Sequence, residues 1–387
     1  MKIYFITGEP SGDLLASSLM KALKEKTPDV EFFGVGGETM RSYGFDSLFD
    51  MSELTVMGFF EVVPRLPLIL KRIKQTVADI EKVAPDIIIT VDSWGFVSTL
   101  LSRLKKKGIT IPKLHYVAPQ VWAWKKGRAK NVAKLTDRLM TLLPHEPKYF
   151  EKYGLKCDFT GHPVVENRID EIDVGNFRER YNIPSNACIL SVLPGSRNSE
   201  MKRLIPVFKD VIDILSTKIN NLFIVIPTVE TVVDEVRKAF GNSNIPYRII
   251  TGRDERYAAF KQSVAAIAAS GTVSLELASC KTPHIVAYKF NPLTNFLADI
   301  FVKVKYANLI NLLCDKEIIP EFMLDECRAD LIADKVFELT NSEIAKTMIA
   351  EATTGLQKLR LPDMLPSQKA AEIVIEMVYT VSVRISS

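Results

Sequence analysis

Long apolar runs are missing from this chain. No stretch approaches the roughly twenty apolar residues that a bilayer span requires, so no membrane-crossing segment is expected. The opening "MKIYFIT" joins one lysine to a short apolar run, which reads as a strand and is too short for a secretory signal core. The expectation is a protein neither secreted nor spanning a bilayer. Cysteine is scarce too. Cys157, Cys188, Cys280, Cys314 and Cys327 show no C-x-x-C spacing, which argues against a zinc site or a disulfide framework and fits reduced thiols in the cytoplasm. The four histidines, His115, His145, His162 and His284, lack metal-ligand spacing, and Asp-x-Asp is absent, so the commonest metal clamp on a diphosphate is missing. Neither a metal nor any other cofactor is expected. A strong charge of one sign is lacking as well. Fifty Lys and Arg face 46 Asp and Glu, and a net charge of +4 is too weak to argue for nucleic acid while suiting an anionic ligand or an acidic membrane surface.

What is present is a globular composition, 47% apolar and 25% charged over 387 residues, too long for one ordinary core and so predicting two domains. Short β-branched runs alternate with amphipathic stretches. One series of strands is expected at 3–7, 31–35, 86–91, 113–117, 138–142 and 157–160, and a second at 188–193, 222–226, 248–251, 264–268 and 284–288. Leu204, Phe208, Val211, Ile212 and Leu215 fall on one face of a helix between two of them. Alternation of this kind predicts an α/β protein of two doubly wound parallel sheets. The polar stretch 164–184 reads as the break, giving domains 1–165 and 166–365. A helix within 366–387 is a candidate to cross back to the first domain.

Ligands of such sheets sit at the carboxyl ends of strands, so the loops there carry the functional question. "TGEPSGD" (7–13) brings Gly8, Glu9, Ser11 and Gly12 between a strand and a helix; a plain turn with a capping Asp13 is the alternative. Neither it nor "GVGGET" (34–39) is a dinucleotide fingerprint. In "TVDSWGF" (90–96), Asp92 follows an apolar strand, where a rigidly held carboxylate suits a general base; a solvated or capping Asp is equally open. "YVAPQVWAWKKGRAK" (116–130) sets Trp122 and Trp124 beside Arg128 and three lysines, which suits an anionic amphiphile or simply core packing. "LPGSR" (193–197) places Gly195, Ser196 and Arg197 where a helix dipole and backbone N–H groups would favour an anion, or where Ser196 or Ser199 merely caps a helix. "AASGTVSLELA" (268–278) offers Ser270, Gly271 and Thr272 at a second helix start. A capping box on Thr272 would place its acid at Leu275, so Glu276 is left over, one turn in and able to reach a ribose diol. Two such glycine-containing helix starts without a Walker lysine suggest a nucleotide diphosphate.

The segment 54–74, "LTVMGFFEVVPRLPLILKRIK", is dense in apolar residues (Val56, Met57, Phe59, Phe60, Val62, Val63, Leu66, Leu68) and closes with Lys71, Arg72 and Lys74. A buried helix competes with a membrane-facing patch here. Pro64 and Pro67 argue against one continuous core helix.

In this order, "GEPSGD", "VMGFFEV", the Asp of "VDSWGF", "PQVWAW", "GHPVVE", "LPGSR", "ASGTVSLE" and "NLINLL" resemble the lipid-A-disaccharide synthases, inverting glycosyltransferases of the GT-B fold, across roughly residues 8–315. Pro10, Gly95 and Glu166 depart from the family's pattern. The resemblance implies two Rossmann-like domains facing an interdomain cleft, the first serving acceptor and membrane and the second binding the UDP-sugar. It implies transfer from UDP-2,3-diacylglucosamine to the 6-hydroxyl of 2,3-diacylglucosamine 1-phosphate. Asp92 would then be the base, Arg197 and the helix starts would hold UDP without a metal, and Asn308 and Asn311 of "NLINLL" would join the UDP-sugar site. It further implies peripheral attachment to the cytoplasmic face of the inner membrane, with a homodimer as a candidate assembly. Two other functions remain open: a UDP-sugar 2-epimerase of the same fold, which would not need the apolar patch, and a nucleotide-regulated lipid-binding protein, which would not need Asp92.

Overall fold

The structure is a computed structural model that describes residues 1–54, 59–121, 127–269, 271–289 and 305–385, with backbone alone for 59–64, 199 and 381–385. The chain divides into two compact units, Met1–Glu166 with Leu359–Ser387, and Asn167–Lys358.

In the first unit β1 (Lys2–Thr7), β2 (Glu31–Val35), β3 (Ile87–Val91), β4 (Lys113–Tyr116), β5 (Arg138–Thr141) and β6 (Lys156–Phe159) form one parallel sheet in the order β2-β1-β3-β4-β5-β6. The helices between them are α1 (Pro10–Lys26), α2 (Glu38–Arg41), α3 (Phe59–Val83), α4 (Trp94–Lys106), α5 (Gly127–Leu135) and α6 (Lys148–Glu151). β3 reads Ile-Ile-Ile-Thr-Val because helices cover both faces of a parallel sheet, so every position along it is buried. One face packs Ile3, Phe5, Ile87 and Ile89 against Leu15, Leu19 and Leu23 of α1, and the other packs Tyr4, Ile6 and Ile88 against Ile73, Val77 and Ile80 of α3.

The C-terminal helix, Pro366–Ile385, belongs to this unit. Ala370, Ala371, Ile373 and Val374 complete the core beside α1, and the small alanines allow close approach. Arg138, almost fully buried, bonds both oxygens of Asp158 and pairs with Glu376 of that helix at 2.9 Å. Glu166 accepts the N–H of Ser367, placing a carboxylate on the helix's positive end. The return to this unit begins at Leu359, ahead of the helix, because the Leu359 carbonyl accepts the His162 N–H at 3.0 Å.

The second unit repeats the scheme with β7 (Cys188–Leu193), β8 (Leu222–Pro227), β9 (Tyr247–Ile250), β10 (Ala265–Ala269), β11 (His284–Tyr288) and β12 (Glu321–Met323), all parallel, in the order β12-β11-β10-β7-β8-β9. Its helices include α7 (Phe177–Arg180), α8 (Asn198–Lys218), α9 (Val233–Phe240), α10 (Arg253–Gln262), α11 (Val273–Ser279), α12 (Leu309–Cys314), α13 (Ala329–Leu339) and α14 (Ser342–Gln357).

Two local readings are corrected. The prolines do not interrupt the segment after residue 58: α3 runs unbroken for 25 residues through Pro64 and Pro67. Both lie within its first nine residues, so the missing amide donors weaken only its opening turns, while Ile69, Ile73, Val77 and Ile80 fix the remainder on the sheet. Asp13 does not cap its own helix. From the first turn of α1 it reaches the start of α2, taking the N–H of Gly37 (2.6 Å), Thr39 (2.8 Å) and Met40 (3.3 Å). Asp13 is 3% exposed, so removing its carboxylate strands buried donors. Asp13→Ala should lower unfolding stability by about 3 kcal/mol in a urea titration.

Candidate active site

In a doubly wound sheet a crevice opens where the strand order reverses, because neighbouring crossovers there leave toward opposite faces. The first unit reverses between β1 and β3, and the second between β7 and β10. The loops after those four strands are "GEPSGD", "DSWGF", "PGSR" and "SGT". Each unit thus brings together, at its own switch point, two loops that the sequence had singled out separately.

In the first unit Gly8 is buried and lies so near the second loop that a Cβ on it would fall 2.6 Å from the Ser93 hydroxyl. Glu9 is half-buried and immediately precedes α1, Pro10 occupies the first helical turn, and Ser11 is exposed while Gly12 is buried. Asp92 and Ser93 both take left-handed backbone, at φ 52° and 47°, and Val117 after β4 does the same at 80°. Left-handed backbone is uncommon outside glycine and most unfavourable for a β-branched residue such as valine. Hydrogen bonds hold this rim: Asp92 N–H donates to the Tyr116 carbonyl and Val117 N–H to that of Met140. Behind it Trp94, at the first position of α4, packs edge-on against His115, ring centroids 4.8 Å apart. The Asp92 Oδ1 accepts the Ser93 N–H at 2.8 Å. Burial pushes the Asp92 carboxyl above the usual aspartate range, against the pull of that hydrogen bond.

In the second unit Gly195 has φ 111°, and a Cβ there would meet the Glu200 Oε2 at 2.8 Å. Neither side-chain capping alternative is needed: α8 begins at Asn198, with Arg197 at the cap position and no side-chain cap bond. Ser196 and Arg197 are exposed, and the Arg197 guanidinium rests on the buried Glu200 at 3.0 Å. Ser270 lies outside the described residues; Gly271 and Thr272 are exposed beside the start of α11, and Thr272 makes no capping bond. Glu276, one turn in, faces Arg256 of α10 at 3.3 Å.

Asn308 and Asn311 are buried, and their polar atoms bind the protein itself. Asn308 Oδ1 accepts the N–H of Ile310 and Asn311, and its Nδ2 donates to Ser274 at 2.6 Å. Asn311 Oδ1 accepts from Ile318 and Ile319, while Nδ2 donates to the Ile319 carbonyl and to Glu321. They tie α12 to β12, a strand too short to show a pattern in sequence. The Ser274 hydroxyl also meets His284 Nε2 at 2.7 Å, so the network reaches β11.

Val56, Met57, Trp122 and Trp124 lie outside the described residues, and Phe59, Phe60, Val62 and Val63 are described only as the backbone of α3. Further along α3, Leu66 and Leu70 are 47% and 38% exposed, Leu68 is half-buried, and Arg128 on α5 is exposed. Of the basic residues closing the segment, Lys71 and Lys74 are exposed, but Arg72 is occupied: it forks onto both oxygens of Glu53 at 2.7 and 2.5 Å and stacks on Phe49. Among the described residues no helix is long and apolar enough to cross a membrane.

The family model described as lipid-A-disaccharide synthetase matches residues 3–374. This chain belongs to the lipid-A-disaccharide synthetase family. A lipid-A-disaccharide synthase of Paramagnetospirillum magneticum is 46% identical over 382 residues, covering 98% of each chain, and one of Rickettsia typhi is 39% identical, covering 96% of this chain and 98% of its own. Family membership makes the chain a glycosyltransferase of lipid A biosynthesis. Solved structures agree on a GT-B architecture: a Neisseria meningitidis UDP-GlcNAc 2-epimerase bound to UDP-GlcNAc (TM-score 0.66, 12% identity, 98% of this chain and 100% of that one) and Acinetobacter baumannii MurG (TM-score 0.54, 12% identity, 97% and 99%). At such identity the likeness to an epimerase speaks for fold alone, and the full-length relatives favour the synthase over the epimerase.

Asn311→Ala should lower the unfolding midpoint, at a cost of about 3 kcal/mol, because it strands the Ile318 and Ile319 amides. Calorimetry together with UDP titration well below the transition checks this: affinity should be nearly kept while the folded state persists.

Proposed function

We propose that this chain transfers the acylated glucosamine of UDP-2,3-diacylglucosamine to the 6-hydroxyl of 2,3-diacylglucosamine 1-phosphate. The bond from the anomeric carbon to UDP breaks as a β-1,6 link forms. The acceptor's proton goes to Asp92, and UDP departs with the electron pair. Loops at the first unit's switch point would hold the acceptor. Those of the second would hold UDP, with Arg197 and the amides around Gly195 stabilising the charge that develops on the leaving diphosphate. Arg197 rests on Glu200 in this structure, so its guanidinium would be shared with, or move toward, the diphosphate.

The observation that carries the reading is the Asp92 turn. A carboxylate at the end of a buried strand, on left-handed backbone held by neighbouring strands, is rigidly presented, and a positioned base needs that rigidity. Both substrates carry acyl chains and stay with a bilayer. The exposed Leu66 and Leu70, with Arg65, Lys71 and Lys74 along the same helix, support peripheral attachment to an anionic lipid surface on the cytoplasmic side of the inner membrane.

Asp92→Asn keeps the shape and the Oδ1 acceptor but is no base. It should bind UDP nearly normally and transfer sugar at least ~100-fold more slowly. Burial raises the folded-state pKa, so the carboxyl's stabilising contribution is present at low pH and lost as pH rises through that value. The Asn variant should therefore melt no lower than the parent at pH 7 to 8. Only the ionised carboxylate takes a proton, so parent turnover should fall on acidification, with a limb above the ~3.9 of a free aspartate. An Asn variant with ordinary turnover would remove Asp92 from the mechanism.

Arg197→Ala should cost roughly tenfold to a hundredfold in kcat/KM for the UDP-sugar, since hydrogen bonds to charged groups are worth ~1.5–3 kcal/mol. Kinetics against donor concentration, alongside a melting curve, read this directly; unchanged kinetics would count against the diphosphate site.

A further inference from the structure

Glu276 stands in an unusual place for a carboxylate. Its side chain is 23% exposed, on α11 and packed toward α10, and its partner Arg256 is equally covered. The Arg256 Nη2 lies 3.3 Å from Glu276 Oε2, while the Arg256 Nε is buried with no partner of its own. Around the pair the polar groups interlock. Tyr257, 3% exposed, also hydrogen-bonds Glu276, and its hydroxyl accepts from Asn167 Nδ2 at 2.8 Å. Arg253 donates to Asn167 Oδ1 and sits over the Tyr257 ring at 5.8 Å.

We propose that Arg256 is a positioning residue for Glu276, holding its carboxylate charged and aimed so that it accepts hydrogen bonds from the ribose hydroxyls of a bound uridine nucleotide. This rests on the reading of Glu276 as the ribose-binding group. A carboxylate accepts from both hydroxyls of a diol only while ionised; protonated, one oxygen becomes a donor. Burial pushes the Glu276 carboxyl above the usual glutamate range, and Arg256 first and Arg253 second hold that rise in check. The charged and titratable groups facing Glu276 are Arg253, Arg256 and Tyr257 on α10 and Cys280 one turn further along its own helix. Arg256 alone among them makes the ion pair. Arg253 is spent on Asn167, and the Cys280 thiol is pushed up to about 12 and stays neutral.

The test measures the affinity of UDP and of 2′-deoxy-UDP from pH 8 to pH 6, taken as a ratio at each pH so that the diphosphate's own titration cancels. The parent should prefer UDP by about tenfold throughout, the value of one hydrogen bond to a charged acceptor. Arg256→Gln should keep the preference at pH 8 and lose it toward pH 6. Arg256→Lys, which retains the cation, should restore it. A purely structural role for Arg256 would lower the melting temperature and leave the ratio flat with pH, and that result overturns the proposal. Glu276→Ala separates the two layers. Loss of preference in that variant with a flat Arg256→Gln profile refutes the positioning role alone, whereas an undiminished preference refutes the ribose reading itself. A further measurement needs no variant: if the parent's own preference collapses between pH 8 and pH 6, Arg256 does not keep Glu276 ionised and the proposal fails.

Discussion

The reversal of strand order within each parallel sheet is the constraint on which the rest of this chain depends. Parallel strands must be joined by crossovers, and the crossovers pack on one face or the other. Where the order reverses, adjacent loops diverge and leave backbone uncovered at the strands' carboxyl ends. In the first unit that point lies between β1 and β3 and in the second between β7 and β10. Four short motifs far apart in sequence thereby become two pairs of neighbours. The glycines matter because of this convergence. Gly8 leaves room for Ser93, and Gly195 turns through a left-handed conformation against the Glu200 carboxylate. Neither requirement arises in a strand-to-helix turn standing alone.

Rigidity at these points comes from buried layers rather than from the loops. Asp92, Ser93 and Val117 hold backbone that costs of order 1–3 kcal/mol each, which persists only when the surroundings dictate it. The surroundings are the fully buried β3 and β4, the Trp94–His115 contact beneath the turn, and the hydrogen bond from Asp92 to Tyr116. The C-terminal helix adds to the same core from the far end of the chain. Its alanines pack beside α1, and Arg138 joins it to β6 through Asp158 and Glu376. The first unit is therefore incomplete without residues nearly 200 positions away from its other part.

Sequence made the parallel strands legible because burial on both faces leaves continuous apolar runs, and all eleven expected strands end within one residue of the observed ones. β12 was invisible: three residues, Glu-Phe-Met, carry no alternation, and the strand is defined by Val286, Ala287 and Tyr288 beside it. α3 defeated a local rule, since proline's cost falls on one turn while the helix is decided by the apolar face beyond it. The site divides the same way. Asp92, Gly195 and Arg197 could be singled out because strand ends and glycine turns have local signatures. Asp13 and Arg256 act on partners 24 and 20 residues distant, on other helices, and no spacing rule announces them. Asn311 looked like a ligand residue and serves as an internal bracket, because an asparagine satisfied by four protein groups reads in sequence like one awaiting a substrate.

The two carboxylates that bear on function differ in what surrounds them. Asp92 is half-buried with the Ser93 N–H on its Oδ1, and desolvation outweighs that bond, so its environment favours the neutral form and raises its proton affinity. Such a group is a stronger base than a free aspartate, which suits removing a proton from a sugar hydroxyl. Glu276 is half-buried too and its carboxyl is likewise pushed up by desolvation, but a guanidinium 3.3 Å away opposes part of that push. An acceptor for neutral hydroxyls needs to stay ionised and gains nothing from taking a proton. Arg256 thus limits the upward push at Glu276, where an acceptor must stay ionised, whereas among the described residues no cation bears on Asp92, where a proton must be taken. The difference lies in the neighbouring elements: α10 presents Arg256 to Glu276, whereas the Asp92 carboxylate is met by the backbone N–H of Ser93.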